Sequence, residues 1–299
     1  MPNTLTGAPA AAAIYAQVRE RAALLDAPPC LAAVSVGAQP DDLAYLRSIA
    51  QAAEGCGIAV RHVPLPADCA PDTLTDTLRA LSADGAVHGV LLLRPLPEAL
   101  RAQEILDTLD AYKDVDGMTT LSLGALVTGT AGFAPCTAEA VVRVLGHYGV
   151  LLAGADVTVV GRSLVIGRPV AMLLQRADAT VTMCHSKTAD LARRCREADV
   201  LVVAVGHARA IGADALRAGQ VVVDVGINWD DEAQRLVGDV DERAADAVAA
   251  ALTPVPGGVG AVTTAVLMDH VVTAAERTVG PKADGTGAYR ARRAQASAF

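Results

Sequence analysis

Residues 156–169, DVTVVGRSLVIGRP, have the residue types of a turn that binds a pyrophosphate. The segment is predicted as a strand, a turn and the first residues of a helix. Gly161 permits the tight turn, Gly167 permits close helix–strand contact, and the helix N-terminus offers N–H groups and positive potential to a phosphate. The spacing is not GxGxxG, so an ordinary strand–helix turn is the alternative interpretation of this motif by itself.

The next predicted strand ends in a polar corner, with the sequence CHSKT at residues 184–188. A site that prefers NAD usually has an acidic residue here for the ribose 2′-hydroxyl, and this strand end has none. His185, Ser186 and Lys187, together with Arg162, are instead suited to a 2′-phosphate. The pattern therefore favours NADP over NAD, the alternative being that these residues only cap the following helix.

Strands that alternate with helices must position these residues. Each predicted strand is a nearly continuous apolar run, as expected when helices cover both faces of a parallel sheet. Strands are predicted at 30–37, 58–65, 87–93, 156–161, 179–186, 200–206 and 220–226, and helices near 42–56, 71–83, 98–109, 137–148 and 263–278. The predicted fold class is α/β, with two α/β domains of which the C-terminal one contains a Rossmann-type parallel sheet.

The two series of strands indicate two domains in the 299 residues. The first is predicted to comprise residues 1–139 together with 264–299, because the last helix can return to it, and the second comprises 140–263. The segment 110–137 is rich in glycine and threonine and weakly periodic, so it is predicted as a functional or domain-crossing loop. The tail from Pro281 has the composition of a disordered end.

Composition and charge argue against several classes of function. The net charge of −8 and the pI of about 5.2 argue against nucleic acid or an anionic membrane as a partner. No apolar stretch is long enough for a transmembrane helix, and the N-terminus lacks the basic region of a signal peptide. Six cysteines without a CxxC pair indicate a reduced, cytoplasmic protein, and the six scattered histidines suggest no metal site.

Residues 44–54, AYLRSIAQAAE, have the period of an amphipathic helix. Tyr45 and Ile49 lie one turn apart on its apolar side. Tyr45 is therefore either a core residue or a residue that faces a ligand, and the helical pattern alone leaves both interpretations open.

Further motifs follow one another in order: YKDVDG, PCT, GRSLVIGRP, TVTMCHSKT, VVVDVGIN, VGDVD and TPVPGGVGAVTTAVL. In this combination the sequence resembles the bifunctional methylenetetrahydrofolate dehydrogenase/cyclohydrolase family over nearly its whole length. The resemblance implies two α/β domains with a cleft between them, NADP on the C-terminal domain and a tetrahydrofolate-type substrate in the cleft. It also implies a homodimer formed through the nucleotide domain.

The resemblance assigns roles to individual residues. The cofactor-binding residues that it implies are Gly161, Arg162, Ser163, His185, Ser186 and, beside the nicotinamide end, Ile227. The substrate-binding residues that it implies are Tyr45, Asp116, Pro256, Gly257 and Gly258. Tyr45 matches the tyrosine that stacks on the aminobenzoyl ring of the folate, and Asp116 matches the carboxylate that binds the pterin ring. These two are also the implied catalytic residues, and no metal is implied.

Two positions depart from the family pattern. The family has a lysine four residues after the tyrosine and a glutamine in G-x-L-V-Q-L-P-L-P, where this chain has Ile49 and Leu93. The neighbouring basic residues are not expected to substitute for them. Arg47 points elsewhere on the helix, and Arg94, which follows Leu93 on a predicted strand, should face the opposite way.

These departures affect one half of the family's chemistry. Hydride transfer needs chiefly the alignment of two carbons, whereas hydrolysis of the methenyl group needs water activation and proton transfer. Isoleucine and leucine can do neither of the latter. The sequence thus predicts an NADP-dependent 5,10-methylenetetrahydrofolate dehydrogenase that forms 5,10-methenyltetrahydrofolate, with cyclohydrolase activity weak or absent. The alternatives are an enzyme still bifunctional through another base, a catalytically silent NADP-binding paralogue, and a dehydrogenase of a modified pterin.

Overall fold

The computed structural model describes residues 2–279, which form two compact units. The six-stranded unit comprises residues 2–12 and 137–263, and the three-stranded unit comprises residues 13–136 and 264–279. Of the three boundaries between the units, two fall inside the first and the last helix, so each of these helices contributes residues to both, and the third falls after Cys136. The tail that the sequence predicts to be disordered lies outside the described residues.

The elements alternate along the chain as the sequence predicts for an α/β protein. The strands are β1 (Asn3–Thr4), β2 (Cys30–Val36), β3 (Ala59–Leu65), β4 (Gly89–Leu92), β5 (Asp156–Val160), β6 (Thr180–Cys184), β7 (Val200–Val203), β8 (Val221–Asp224), β9 (Asn228–Asp230), β10 (Arg235–Val237) and β11 (Ala251–Leu252). The helices are α1 (Gly7–Ala22), α2 (Pro40–Glu54), α3 (Pro71–Ala83), α4 (Gln103–Leu106), α5 (Thr120–Thr128), α6 (Cys136–His147), α7 (Gly167–Arg176), α8 (Leu191–Glu197), α9 (Glu242–Val248) and α10 (Val259–Val279).

The six-stranded unit contains a parallel sheet with the strand order β1-β11-β8-β7-β5-β6. β5 pairs with β6 on one side and with β7 on the other, so the strand order reverses at β5. In open parallel sheets, ligands bind beyond the carboxyl ends of the strands at such a reversal. The predicted α/β class with a Rossmann-type sheet is confirmed, and Gly161 is the first residue beyond the reversal strand.

The three-stranded unit contains a parallel sheet in the order β3-β2-β4. The central strand β2 is buried at every residue after Cys30, because its neighbours and the helices cover it. β3 forms one edge and keeps polar side chains such as Arg61 and His62 exposed, as suits a strand with one unpaired side. Leu74 and Leu78 of α3 are fully buried against this sheet and form the centre of its core.

The segment predicted as a long loop contains a helix. α5 begins after Thr119, whose side chain accepts the N–H of Ser122, and it ends at Gly129 with a left-handed φ of 72°. These are ordinary helix start and stop signals, but the apolar period between them is weak, which is why the sequence pattern misses the helix. The prediction of a loop was therefore wrong for Thr120–Thr128, whereas a boundary between the two units does fall at the end of the segment, after Cys136.

Two other elements differ from the sequence prediction. The helix predicted near 98–109 is a short 3-10 turn, Glu98–Leu100, followed by the one-turn helix α4, because Ala102 between them has extended backbone. Residues 3–5, predicted in the first domain, instead extend the six-stranded sheet: Asn3 N donates to Ala250 O at 2.8 Å, and β1 pairs in parallel with β11. A two-residue strand is too short to show a period of its own.

Arg21 connects α1 to α10 inside the three-stranded unit. Its guanidinium donates to both carboxylate oxygens of Glu276, at 2.9 and 2.7 Å, and to Thr273 Oγ1 at 2.7 Å. It also forms an ion pair with Asp269. All three charged side chains are less than one-third exposed, so this fork–fork contact is better protected from solvent than an ordinary surface ion pair.

Replacing Arg21 should destabilise the fold. We expect Arg21→Met to lower the free energy of unfolding by about 2 kcal/mol, because two partly buried carboxylates lose their shared donor. Urea denaturation at pH 7 measures the change. Arg47→Met is the matched control, since Arg47 is exposed on α2 and forms no hydrogen bond or ion pair within residues 2–279; it should cost less than about 0.5 kcal/mol. Equal effects of the two substitutions would contradict the role given to Arg21.

Candidate active site

The turn after β5 is built so that only glycine fits at its two key positions. Gly161 has φ of 130°, and a Cβ there would lie 2.2 Å from Ala204 O at the end of β7. A Cβ on Gly167 would lie 2.3 Å from Gly161 O, so the first turn of α7 packs directly on the loop. The ends of β5 and β7 and the beginning of α7 therefore form a close backbone cradle, which fits the pyrophosphate of a dinucleotide.

Two of the polar residues predicted in this loop differ in how they are used. Ser163 Oγ accepts the backbone N–H groups of Ile166 at 3.1 Å and Gly167 at 3.4 Å, so it shapes the loop from inside. Arg162 is exposed, and its guanidinium forms no hydrogen bond or ion pair within the described residues. Arg162 is thus the side chain of this loop whose positive charge is available to an anionic ligand.

The corner after β6 lies beside this loop, because Val160 pairs with Cys184 and Gly161 N donates to Cys184 O at 2.9 Å. His185 Nδ1 accepts the N–H of Lys187 at 3.1 Å, so the neutral imidazole carries its proton on Nε2. Ser186 and Lys187 are exposed. The paired strand ends therefore place cationic and donor groups together, as binding of a 2′-phosphate requires.

A pair of buried aspartates, which sequence reasoning did not single out, fixes the loops that follow β7 and β8. Asp239 accepts the N–H groups of Val205 (2.6 Å), Gly206 (2.8 Å) and His207 (3.0 Å) at the end of β7. Asp224, at the end of β8, accepts N–H groups from Gly226, Asp239 and Val240 between 2.8 and 3.0 Å. The signal was present in DVGIN and VGDVD, since Asp224 lies two residues before Gly226 and Asp239 directly follows Gly238.

Burial raises the pKa of Asp224 to about 6, although the backbone hydrogen bonds oppose the shift. Ile227, predicted beside the nicotinamide end, follows this aspartate in the chain and is 59% exposed. An apolar side chain this exposed, next to a loop fixed by buried carboxylates, is suited to contact with a planar ring.

The loop that follows β11 contains Pro256, Gly257 and Gly258. Gly257 has φ of 99°, and its carbonyl accepts the N–H of Gly7 at 2.7 Å. Pro256 and Gly257 are exposed, whereas Gly258 is buried, with its carbonyl where a Cβ on Gly7 would lie. The structure thus places these three predicted substrate residues in a different unit from Tyr45 and Asp116.

Tyr45 and Ile49 on α2 have opposite environments although they lie one turn apart. Tyr45 is 45% exposed, whereas Ile49 is completely buried. Burial of the ring nevertheless raises the pKa of the Tyr45 phenol, with Asp116 as the next contribution, which places the tyrosine and the carboxylate in one electrostatic environment. The side chain at position 49 belongs to the apolar core, and Tyr45 above it is accessible to a ligand.

Leu93, at the other position that departs from the family pattern, is also apolar and buried. It follows β4 directly, its side chain is 6% exposed, and its N–H donates to Val34 O at 2.9 Å. Neither it nor Ile49 offers a group that can hold or move a proton. The two side chains that the sequence marks as exceptional are therefore both packed as core residues.

Asp116 lies in a loop fixed from several directions. Lys113 Nζ donates to the carbonyls of Leu81 and Asp84 at 3.2 and 2.7 Å, and Asp114 accepts the N–H of Thr119 at 2.7 Å. Gly117 has φ of 66°, and a Cβ there would lie 2.4 Å from the carbonyl carbon of Ala134. The neighbours of Asp116 are thus occupied with hydrogen bonds and packing that fix the loop.

The electrostatic environment of Asp116 favours the protonated form more than water does. Burial raises its pKa to about 6, and the nearby charge of Asp114 acts in the same direction. Arg94, a hydrogen bond from Cys136 and the charge of His270 oppose the shift. Leu93 is buried and Arg94 is exposed, as expected for side chains that face opposite ways, yet the charge of Arg94 still acts on Asp116.

Two buried residues that the sequence did not reveal, Cys136 and His270, contact the backbone of the loop that contains Asp116. Cys136 Sγ donates to Val115 O at 3.2 Å, and His270 Nδ1 lies 2.8 Å from the same carbonyl. The His270 ring packs on Phe133 with centroids 4.8 Å apart, and Arg277 lies 4.5 Å above the Phe133 ring. The position of His270 in an apolar helix gave no sequence signal, since a lone histidine there resembles an ordinary core residue.

Residues 2–279 contain neither a candidate metal site nor a candidate membrane-spanning helix. No group of three or more histidine, cysteine, aspartate or glutamate side chains could hold a metal ion there. Among the helices of that region, none has both the length and the apolar character needed to cross a bilayer.

Comparison with known proteins matches two family models to the chain. The profile of the tetrahydrofolate dehydrogenase/cyclohydrolase catalytic domain matches residues 5–116, and the profile of the NAD(P)-binding domain matches residues 135–279. The bifunctional protein FolD of Nocardia farcinica is 48% identical over 277 residues, which cover 92% of this chain and 98% of that relative.

Solved structures give the same result. FolD of Campylobacter jejuni, a methylenetetrahydrofolate dehydrogenase/cyclohydrolase, matches with a TM-score of 0.89 and 36% identity, covering 93% of this chain and 99% of that one. The methylenetetrahydrofolate dehydrogenase-cyclohydrolase of Trypanosoma brucei, solved with NADP and an inhibitor, matches with a TM-score of 0.87 and 34% identity over the same shares. This chain therefore belongs to the tetrahydrofolate dehydrogenase/cyclohydrolase family and contains both its catalytic and its NAD(P)-binding domain.

Proposed function

We propose that this protein is an NADP-dependent 5,10-methylenetetrahydrofolate dehydrogenase whose cyclohydrolase activity is weak or absent. The observation that carries the second half is the packing of Ile49 and Leu93 as buried core side chains. The family membership supports the dehydrogenase half. The names of the relatives support the alternative that both activities are retained.

The six-stranded unit fits the cofactor. Bound NADP accepts the hydride, and the residues of the chain bind and orient it. The glycine cradle at Gly161 gives the pyrophosphate close access to the backbone, while Arg162 and the corner of His185 and Ser186 neutralise the 2′-phosphate. The exposed side chain of Ile227 provides an apolar surface for the nicotinamide end.

The three-stranded unit fits the reduced folate. The half-exposed Tyr45 ring offers a flat surface on which the aminobenzoyl ring stacks. The ionised Asp116 is an acceptor for N–H groups of the pterin, and its buried position makes such bonds stronger than in water. Pro256, Gly257 and Gly258 are the proposed contribution of the six-stranded unit to substrate binding.

Hydrolysis of the methenyl product requires a group that takes a proton from water. Such a group contributes about 10²–10⁴-fold to a rate, and an aliphatic side chain contributes none of it. The conversion of both positions to apolar side chains removes the base and the side chain that would orient the water. Hydride transfer is spared because alignment of the two carbons does not depend on a protein base.

The alternative of retained hydrolysis has one observation in its favour. Burial raises the pKa of Asp116 to about 6. A carboxylate with a pKa in this range can act as a general base near neutral pH. If Asp116 is that base, Asp116→Asn removes hydrolysis while Ile49 and Leu93 have no part in it. The two remaining alternatives, a silent NADP-binding paralogue and an enzyme for a modified pterin, differ in whether methylenetetrahydrofolate is turned over.

A homodimer formed through the six-stranded unit and a cytoplasmic location are part of the same proposal. None of the six cysteines, all of which lie within residues 2–279, forms a disulfide, which suits a reducing compartment. Light scattering of the purified protein tests the dimer.

The central prediction concerns two rates measured on the same preparation. NADPH formation from methylenetetrahydrofolate should be readily detected, and NADP should be used better than NAD. Loss of the methenyl absorbance from added methenyltetrahydrofolate should proceed at the uncatalysed rate. Catalysed decay that Asp116→Asn abolishes would establish the bifunctional alternative. Absence of NADPH formation despite tight NADP binding would establish the silent paralogue.

Restoring the two polar side chains should create hydrolysis. We expect Ile49→Lys combined with Leu93→Gln to raise the rate of methenyl hydrolysis at least about tenfold, because a buried amine next to an amide can accept a proton near neutral pH. The matched control is Ile49→Met with Leu93→Gln, which has a similar side-chain length at position 49 and no base. A gain of equal size in the control would mean that the amine has no catalytic role.

The affinity for folate should depend on the ionisation of Asp116. Because the ionised form accepts N–H groups and the protonated form has lost much of that capacity, kcat/KM for methylenetetrahydrofolate should fall as pH decreases through about 6, which is the pKa set by burial. Initial rates between about pH 4.5 and about pH 7.5, roughly one and a half units on each side of this value, measure the fall. Asp116→Asn should have a lower and flat profile; a profile that still bends near 6 would assign the titration to another group.

A further inference from the structure

Arg94 is an exposed cation with no structural partner in the described part of the chain. Its guanidinium forms no hydrogen bond or ion pair within residues 2–279. The neighbouring cations of this unit are used for structure: Arg101 Nε donates to Leu96 O at 2.7 Å, and Lys113 is buried with its amine on two carbonyls. Arg94 is therefore held near the loop by its backbone, while its charge is free to act on another group.

The backbone register brings Arg94 towards Asp116. The loop before Asp116 runs parallel to β4, since Val90 bridges to Asp114 and Val90 N donates to Lys113 O at 2.7 Å. Both segments therefore proceed in the same direction and leave the sheet at the same end, with Arg94 four residues beyond Val90 and Asp116 two residues beyond Asp114. The positive charge of Arg94 also lowers the pKa of Asp116.

We propose that Arg94 is a positioning residue that keeps Asp116 ionised, and so ready to accept the N–H groups of the folate substrate. The consequence for folate binding rests on the proposed function, whereas the effect on the carboxylate itself does not. Arg94 is exposed, whereas Asp116 is partly buried, and a fixed positive charge nearby opposes the penalty of desolvating the carboxylate.

An arginine can do this without restoring hydrolysis. A guanidinium is a permanent cation near neutral pH, so it supplies charge and does not serve as a base. Position 49, where a lysine would carry both properties, is apolar and fully buried. Arg94 thus separates the electrostatic role of a cation in the site from the proton-transfer role.

Several other groups face the Asp116 carboxylate and must be accounted for. They are Asp114 on the same loop, Tyr45 on α2, Cys136 on α6 and His270 on α10. Asp114 is engaged with Thr119 N and Ser122 Oγ, both at 2.7 Å. His270 Nδ1 is engaged with Val115 O. Unlike these groups, Arg94 is both exposed and permanently positive. Its effect on the pKa of Asp116 should therefore respond to salt more strongly than the effects of those groups.

The test is the titration of Asp116 in the free enzyme, without substrate. The protein is labelled with carboxyl-¹³C aspartate, and the Asp116 resonance is identified by its loss in Asp116→Asn. We expect Arg94→Leu to raise the titration midpoint by roughly half to one pH unit, the range for loss of a nearby but solvent-screened opposite charge. Arg94→Lys should restore most of the shift. Arg47→Leu, an equal charge change at an exposed site on α2, should leave the midpoint unchanged.

Salt gives a second readout that a merely structural role would not move. Raising NaCl from about 0.1 to about 1 M should raise the midpoint in the natural protein and have a much smaller effect in Arg94→Leu, because only the former has the charge to be screened. An unchanged midpoint in Arg94→Leu, or an equal rise in Arg47→Leu, would overturn the proposal. Since no turnover is involved, absence of dehydrogenase activity would refute the proposed function and leave this result standing.

Discussion

The buried carboxylate of Asp116 is the constraint on which the three-stranded unit depends. Burial raises its pKa from 3.8 to about 6, which corresponds to at most about 3 kcal/mol of lost stability once the group is ionised. Because the folded state holds this proton more tightly than the unfolded state, the cost appears as pH rises from about 4 to about 6 and is complete above that range. The surrounding loop must therefore be rigid enough to keep the carboxylate in place against this penalty.

The neighbouring residues of the loop supply that rigidity. Lys113 and Asp114 look like functional charges in the sequence KDVDG, yet both are buried and make hydrogen bonds that fix the loop. Gly117 turns the chain where a side chain would collide with Ala134. Within the five consecutive residues 113–117, Lys113, Asp114 and Gly117 thus fix the loop, and Asp116 is the member proposed to bind the ligand.

The fold was largely predictable because its strands are buried on both faces. Continuous apolar runs such as those of β2 and β7 leave no other interpretation, and the turn at Gly161 follows from the glycine spacing. What could not be predicted lacks a local pattern. β1 is a strand only because β11 pairs with it, and α5 begins and ends with good caps but has little period between them. Pairing partners distant in sequence decide such elements, and a period cannot report them.

The sequence predicted which residues form the candidate site better than it predicted how each of them is buried. The helical period placed Tyr45 and Ile49 on one side of α2, but one is 45% exposed and the other fully buried, because the side of the helix changes its neighbours within a single turn. His270 and Cys136 could not be assigned, since their contact with Val115 joins residues more than 20 positions apart.

The environment of Arg94 was also not predictable from the sequence pattern. The alternation of side chains predicts that it points away from the site, and this holds only while the backbone remains a strand. β4 ends two residues earlier, so direction at position 94 is set by the loop and not by the sheet. The charge of Arg94 nevertheless lowers the pKa of Asp116, while Ile49, one helical turn from Tyr45, is fully buried. If charge and proton transfer are separable in this way, an enzyme of this family can lose its base and still keep the carboxylate that holds its substrate.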